Sequence, residues 1–394
     1  MSALLPYSIG PEQLFFVKEE SSWNTWLAWT GADAMNVLKT TFKPDQKREN
    51  RADTRNTRSL LERHSMRKNV DWSVESYLCG SGTAGTAPDC APFLKALFGT
   101  ETTSAGSYVE WSLAQSQLPT SLQLVRQNEV FQQVLQGCAA SRLTLESGGG
   151  PIKMTVEGKA VWQKWMNAIP LCSGTNGTTA VTAGASDLAS QVDTNTICQL
   201  DDAGTIDDGA DNDGLRVTDV TGAGITVDSN LDNDHTASVL EPWRPTCSTL
   251  GSEATDLVGH LTLGGGELDL VSWKLVLDNN MQMPNGQYGY DRAMYAYYGR
   301  RFVTLSLSIQ YRRDMGFHID DARNFTSSGA LEIIAGSDSS GSGDQYQISG
   351  NAVELDFIPP ETPEPESTDV AKLAATGVIL ASSSGEDELT MRCW

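Results

Sequence analysis

Histidine, paired cysteine, basic charge and long apolar runs are all scarce in this chain, and each scarcity removes a class of protein. Only four histidines occur in 394 residues, His64, His235, His260 and His318. None stands near a cysteine pair, so a zinc site has little support. The seven cysteines are scattered without a single CxxC. Such an odd set reads as free buried thiols in a reducing cytosol, not as a disulfide framework. No stretch approaches the length of a membrane span, and residues 1–10 lack a basic region followed by an apolar one. Neither a secretory leader nor a membrane partner is expected. Lys and Arg number 28 against 50 Asp and Glu, a net charge of −22. Repulsion from phosphate argues against a dedicated nucleic-acid clamp. GxSxG and other nucleophile signatures are missing too. No catalytic residue and no cofactor is assigned, and an enzyme is not expected.

What is present points to a folded, mainly β protein. Ten Trp, ten Tyr and ten Phe supply core, and 36 Gly with frequent Ser and Thr favour many short strands joined by turns. Period-two alternation dominates. Val303, Leu305, Leu307, Ile309 and Tyr311 alternate with Thr304, Ser306, Ser308, Gln310 and Arg312. The same pattern recurs at 152–157, 353–357 and 389–394. One face packs and one is wet, as in antiparallel sheets. Helices are few: Asp89 to Phe98 carries Phe93, Leu94, Leu97 and Phe98 on one stripe before Gly99, and a second short one is expected at 319–325. Asn285-Gly286 reads as a hairpin turn. Pro359, Pro360, Pro363 and Pro365 mark a stiff extended crossing before the last strands.

Two stretches depart from the average. Residues 39–68 hold ten basic and four acidic side chains, a local +6, and read as a polar arm. Residues 173–241 hold thirteen acids and one base, Arg216, a local −12. They still carry strand-like pieces at 196–200, 215–220 and 224–228, so a small β insertion with long loops is expected. The division follows: core at 1–172 with the arm at 39–68, an acidic β-rich insertion at 173–245, and core again at 246–394.

Gly80-Ser81-Gly82-Thr83-Ala84-Gly85 matches GxGxxG, but its strand carries polar residues, its helix does not open at the third glycine, and no βαβ repeat surrounds it. It reads as a strand-to-helix loop. The acidic run 207–214 fails the EF-hand frame. A solvated loop and a non-EF-hand calcium site with Asp208, Asp211 and Asp213 both fit it.

The order of features resembles the tail tube (major tail) proteins of long-tailed bacteriophages. The resemblance rests on the early strand Leu14 to Glu19, the charged stretch ending in Arg67-Lys68, the strand Asp71 to Leu78, and the helix Pro92 to Phe98. It continues through Phe131 to Gly137-Cys138, Leu143-Thr144-Leu145, Ile152 to Gly158, and Leu275 to Asn280. Tyr298-Gly299-Arg300-Arg301 opening the strand at 302, and Glu386 to Leu389 near the end, complete it. It implies an antiparallel β-sandwich or barrel-like fold with one or two short helices, and a virion protein made in the host cytoplasm. It also implies self-assembly into hexameric rings stacked as a tube, with other tail proteins as partners and double-stranded DNA passing through without specific binding. Thr144, Glu146, Thr155, Glu157, Thr304, Ser306 and Ser308 are the candidates to line the lumen. Arg48, Arg51, Arg55, Arg58, Arg63 and Arg67 are the candidates to tie one subunit to the next. A β-sandwich adhesin recognising surface glycans, with or without calcium, is the competing reading.

Overall fold

The computed structural model describes residues 13–50, 63–114, 118–128, 130–184, 189–201, 214–231, 234–245, 247, 253–255, 259–284, 292–310, 327–336, 343–356, 372–383, 385 and 387–394. The first stretch of chain forms β1 (Leu14–Glu19), β2 (Lys39–Asn50), β3 (Arg63–Tyr77), α1 (Ala91–Phe98), β4 (Gly99–Ser104), β5 (Tyr108–Leu113), β6 (Leu122–Gln127), β7 (Phe131–Ser147) and β8 (Lys153–Asn167). Next come β9 (Ile169–Gly174), β10 (Ala180–Thr182), β11 (Ile197–Asp201), β12 (Leu215–Thr221), β13 (Gly224–Val227) and β14 (His235–Pro242). The remainder forms β15 (His260–Leu263), β16 (Gly266–Glu267), β17 (Leu270–Asp278), β18 (Phe302–Gln310), β19 (Leu331–Gly336), β20 (Gln345–Gly350), β21 (Ala352–Leu355), β22 (Lys372–Leu380) and β23 (Leu389–Cys393). The expected second helix, the Asn285-Gly286 turn and the proline segment lie outside the described residues.

Among the described residues all the strand pairs are antiparallel and fall into three units. A ten-stranded sheet runs β2-β3-β8-β7-β17-β18-β22-β21, with β6 and β1 continuing from the other half of β7. A seven-stranded sheet runs β16-β15-β19-β20-β23-β5-β4. The third unit, β10-β13-β12-β11-β14-β9, closes on itself as a six-stranded barrel. It begins at Ile169 and holds all the described strands of the acidic segment. Closure removes its edges, so a short, loop-rich stretch of strongly one-signed charge still folds.

The two open sheets enclose one core. Val74, Leu145, Leu275 and Leu305 of the large sheet share a buried cluster with Val109, Ile333, Ile348 and Met391 of the small one. Helix α1 fills the space between them: Phe93 stacks on Phe15 with ring centroids 6.3 Å apart and lies 5.8 Å from Trp72. Gly99 ends the helix in the left-handed region at φ 97°, which a side chain there would resist. Asn279, almost fully buried, donates to the Leu97 carbonyl (2.9 Å), and Tyr298 donates to that of Ala96 (2.6 Å). Groups from the later half of the chain thus satisfy carbonyls at the C-terminal end of α1.

The loop 78–90, containing the GxGxxG match, is held against residue 343. Ser81 N donates to the Gly343 carbonyl (2.9 Å), and a Cβ at Gly80 would sit 2.3 Å from that same oxygen. Gly80 and Gly343 therefore serve a close backbone approach.

All seven cysteines are free and six are buried. Burial pushes the Cys79 thiol up to about 12 and that of Cys393 to about 11. Such thiols are inert at neutral pH.

The charged surface and its sequence candidates

The arm of 39–68 is not a single extended strand. Lys39–Asn50 pairs with Arg63–Tyr77 as a hairpin, from Lys39 opposite Glu75 out to Asn50 opposite Arg63. Two halves of this hairpin differ. As far as Val70, β3 also pairs with β8; from Asn69 to Arg63 that second partner is gone. The outer half is a two-stranded ribbon projecting from the sheet. Arg48, Arg63 and Arg67 belong to its strands, while Arg51, Arg55 and Arg58 lie outside the described residues. So do the calcium candidates Asp208, Asp211 and Asp213.

At the base of the hairpin the cations of the basic stretch face acids. Lys39 and Lys43 belong to the open face of the large sheet, and each has an acid across from it, Glu75 and Asp71. That face is the wet one. Its alternate residues, including Val74, Val156, Leu145 and Leu305, point into the core.

All seven lumen candidates are on this one face, although they come from three separate strands. Thr144 stands opposite Thr155, Glu146 opposite Lys153, and Glu157 opposite Arg142. Through β17 they reach β18, where Lys274 faces Ser306, Val276 faces Thr304 and Ser272 faces Ser308. A shallow depression of about 500 Å³ crosses this region, bordered by Glu146, Lys153 and Lys274 and floored by Ser272, Ser306 and Thr376. The small residues of β17, β18 and β22 leave it open and trough-like.

Read across the strands, the charges alternate in sign. One row is Lys43, Asp71, Lys159; the next is Glu157, Arg142, Asp278; the last is Lys153, Glu146, Lys274. Lys39 and Glu75 make a shorter one. Four of these neighbours are close enough for ion pairs: Lys159–Asp71 and Arg142–Asp278 at 3.5 Å, Arg142–Glu157 at 3.9 Å and Lys274–Glu146 at 3.4 Å. Opposite charges across a strand pair stabilise it modestly, and like charges would oppose pairing. The sequence candidates included the acids Glu146 and Glu157 but missed their cations. Alternation over 152–157 puts Lys153 on the wet side, but only register makes Arg142, Lys153 and Lys274 partners of these acids.

The barrel has another character. Asp193, Asp219, Asp228, Asp234 and Glu241 come from it or its loops, and Arg216 is its sole base. Arg216 turns to the body: its guanidinium lies 4.1 Å over the Trp26 ring and donates to Asn195 Oδ1 at 2.6 Å. Trp26 Nε1 donates to the Asn195 carbonyl (2.9 Å). Beside it, buried Gln132 donates to and accepts from the Ile197 backbone, both at 3.0 Å, and Gln127 donates to the Trp243 carbonyl (2.6 Å). These paired polar groups sit beside an apolar cluster in which Ile197 and Trp243 pack with Trp26 and Val134, so the joint specifies one docking.

No His, Cys, Asp and Glu cluster suited to a metal occurs among the described residues, and no helix there is long and apolar enough to cross a membrane. A comparison with curated proteins finds no match. The family model described as phage tail tube protein matches residues 10–242. The match takes in the acidic segment and ends with β14; the strands from β15 onward, beyond it, complete both sheets. An all-antiparallel body with a projecting hairpin, matched over more than half its length, places this chain in the phage tail tube protein family, as a structural component of the virion that assembles with itself and with other tail proteins.

Proposed function

We propose that copies of this chain close into rings, six to a ring, and that the rings stack into the hollow wall of a phage tail, through which double-stranded DNA is ejected into the host. The chain is made in the host cytoplasm and assembles there. The open face of the large sheet, with Thr144, Glu146, Thr155, Glu157, Thr304, Ser306 and Ser308, lines the lumen in this reading.

The observation that carries it is the half-supported hairpin. An isolated two-stranded ribbon is marginal in water, and β2 has no strand on its outer edge among the described residues. A ribbon of this kind gains stability when a neighbouring copy covers it, and a head-to-tail contact that closes about an axis gives a ring instead of an aggregate. The arginines Arg48, Arg51, Arg55, Arg58, Arg63 and Arg67 then meet the acidic surface of the next subunit. The barrel sits at the outside or side of the tube, because one-signed bulk at the axis would obstruct the channel.

Negative-stain microscopy of the concentrated pure protein tests this: rings or tubes are expected, and a persistent monomer refutes it. Charge reversal at Arg51, Arg55 and Arg58 is expected to weaken assembly while leaving the monomer's melting temperature nearly unchanged.

A further inference from the structure

We infer that the open face of the large sheet stays slippery to duplex DNA through cancellation of charge by sign alternation, and not through a net negative lining. The inference rests on the reading of that face as the tube's inner wall. The whole chain carries −22, yet the four rows of this face hold Lys39, Lys43, Arg142, Lys153, Lys159 and Lys274 against five acids. The excess acid lies elsewhere.

Alternation matters because of its spacing. Strands lie about 4.8 Å apart, so the sign repeats every 10 Å or so along a row. The field of such a pattern fades within roughly 2 Å of the surface, well inside the Debye length of about 8 Å at physiological ionic strength. A phosphate passing a few ångströms away meets neither a trap nor a barrier. Six bare cations per subunit would instead release counterions from DNA and hold it, with affinity falling steeply as salt rises. Each of the six has a carboxylate directly across from it, so the acids act as masks for the bases.

The test removes the masks. The variant combining Asp71→Asn, Glu146→Gln, Glu157→Gln and Asp278→Asn is compared with the unmodified protein, as soluble subunit and as assembled tube. Probes are a short linear duplex and a closed circular duplex, which cannot thread a tube. The soluble variant is expected to bind both probes at least about tenfold more tightly at low salt, the gain shrinking as salt rises. The tube is expected to retain the linear probe alone. Adding Lys43→Gln, Arg142→Gln, Lys153→Gln, Lys159→Gln and Lys274→Gln should abolish the gain. Absence of any gain in the soluble variant overturns the inference. A gain that extends to circular DNA on tubes keeps the charge inference but refutes the inner-wall reading. Should the fourfold variant not fold, Asp71→Asn and Glu146→Gln singly carry the same test, with gains of about threefold expected.

Discussion

The barrel and the open face of the large sheet are built by the same rule and carry opposite charge designs. Both are antiparallel, and both alternate inward apolar with outward polar residues. In the barrel the outward charges are nearly all acidic, and the single base is drawn into the joint with the body. On the open face the charged positions of β2, β3, β8, β7 and β17 look across at their opposites. A closed barrel has no edge to protect, and its acid repels other acidic surfaces. An open sheet must tolerate close neighbours, and paired charges let it do so without net force. The −22 of the chain is therefore a statement about the barrel and the periphery, not about this face.

Glycine substitution should separate the two units most strongly. A Cβ at Gly158, on β8, would lie 2.1 Å from the Ala139 carbonyl oxygen and 2.5 Å from the Trp72 ring. Backbone cannot yield there, so Gly158→Val should cost about 3 kcal/mol or more and lower the body's thermal transition sharply. In the barrel, Gly174→Val meets the tip of the Leu231 side chain first, at 2.3 Å, which can turn away. A smaller loss, about 1 kcal/mol, is expected in calorimetry. Equal losses would mean the barrel is as rigidly packed as the body.

Acid titration gives the next effect, and it belongs to the body. Burial pushes the Asp89 carboxyl up to about 6, with hydrogen bonds from the Cys90 and Asn36 backbone opposing the shift. A raised folded value means a contribution that is full below pH 4 and lost as pH rises through about 6. Stability should thus fall by about 2 kcal/mol or less across that window, and Asp89→Asn should flatten the decline. Melting curves of both proteins between pH 4 and 8 check this; parallel profiles would remove Asp89 as the source.

The joint between the units comes third. Arg216→Ala removes the cation over Trp26 and the bonds to Asn195, at an expected cost of about 1–2 kcal/mol. If calorimetry resolves two transitions, they should move further apart in this variant. The smallest effect is expected on the open face. Lys274 and Glu146 are each about half exposed, at 50 % and 46 %. Removing the pair should change stability by no more than about 0.5 kcal/mol. A large loss would make the rows structural fasteners and weaken their reading as a neutral lining.

Much of this architecture was legible in the sequence. Leu14–Glu19 forms the strand expected of it, and the helix before Gly99 begins two residues later than Asp89, with Pro92 in its first turn. The strand expected to begin at Asp71 reaches back to Arg63, because polar Arg63 to Asn69 carry no alternation and become strand only by pairing with β2. Closure of the acidic segment was hidden too. Its strands are short, and Val181 or Val217 reads as core only once β9 and β10 meet to close the ring.

On regularly alternating strands such as Phe302–Gln310, the sequence by itself determined which side chains face water, since successive side chains point to opposite faces. It also determined the charge imbalance between 39–68 and 173–241. Tertiary structure alone decided which wet residues stand together: Arg142 reaches Asp278 only because β17 lies beside β7 in that register. A one-residue slip would bury the charges and expose the core. Pairing of charge is thus a property of register, and register is set by the buried face that the two sheets and α1 share.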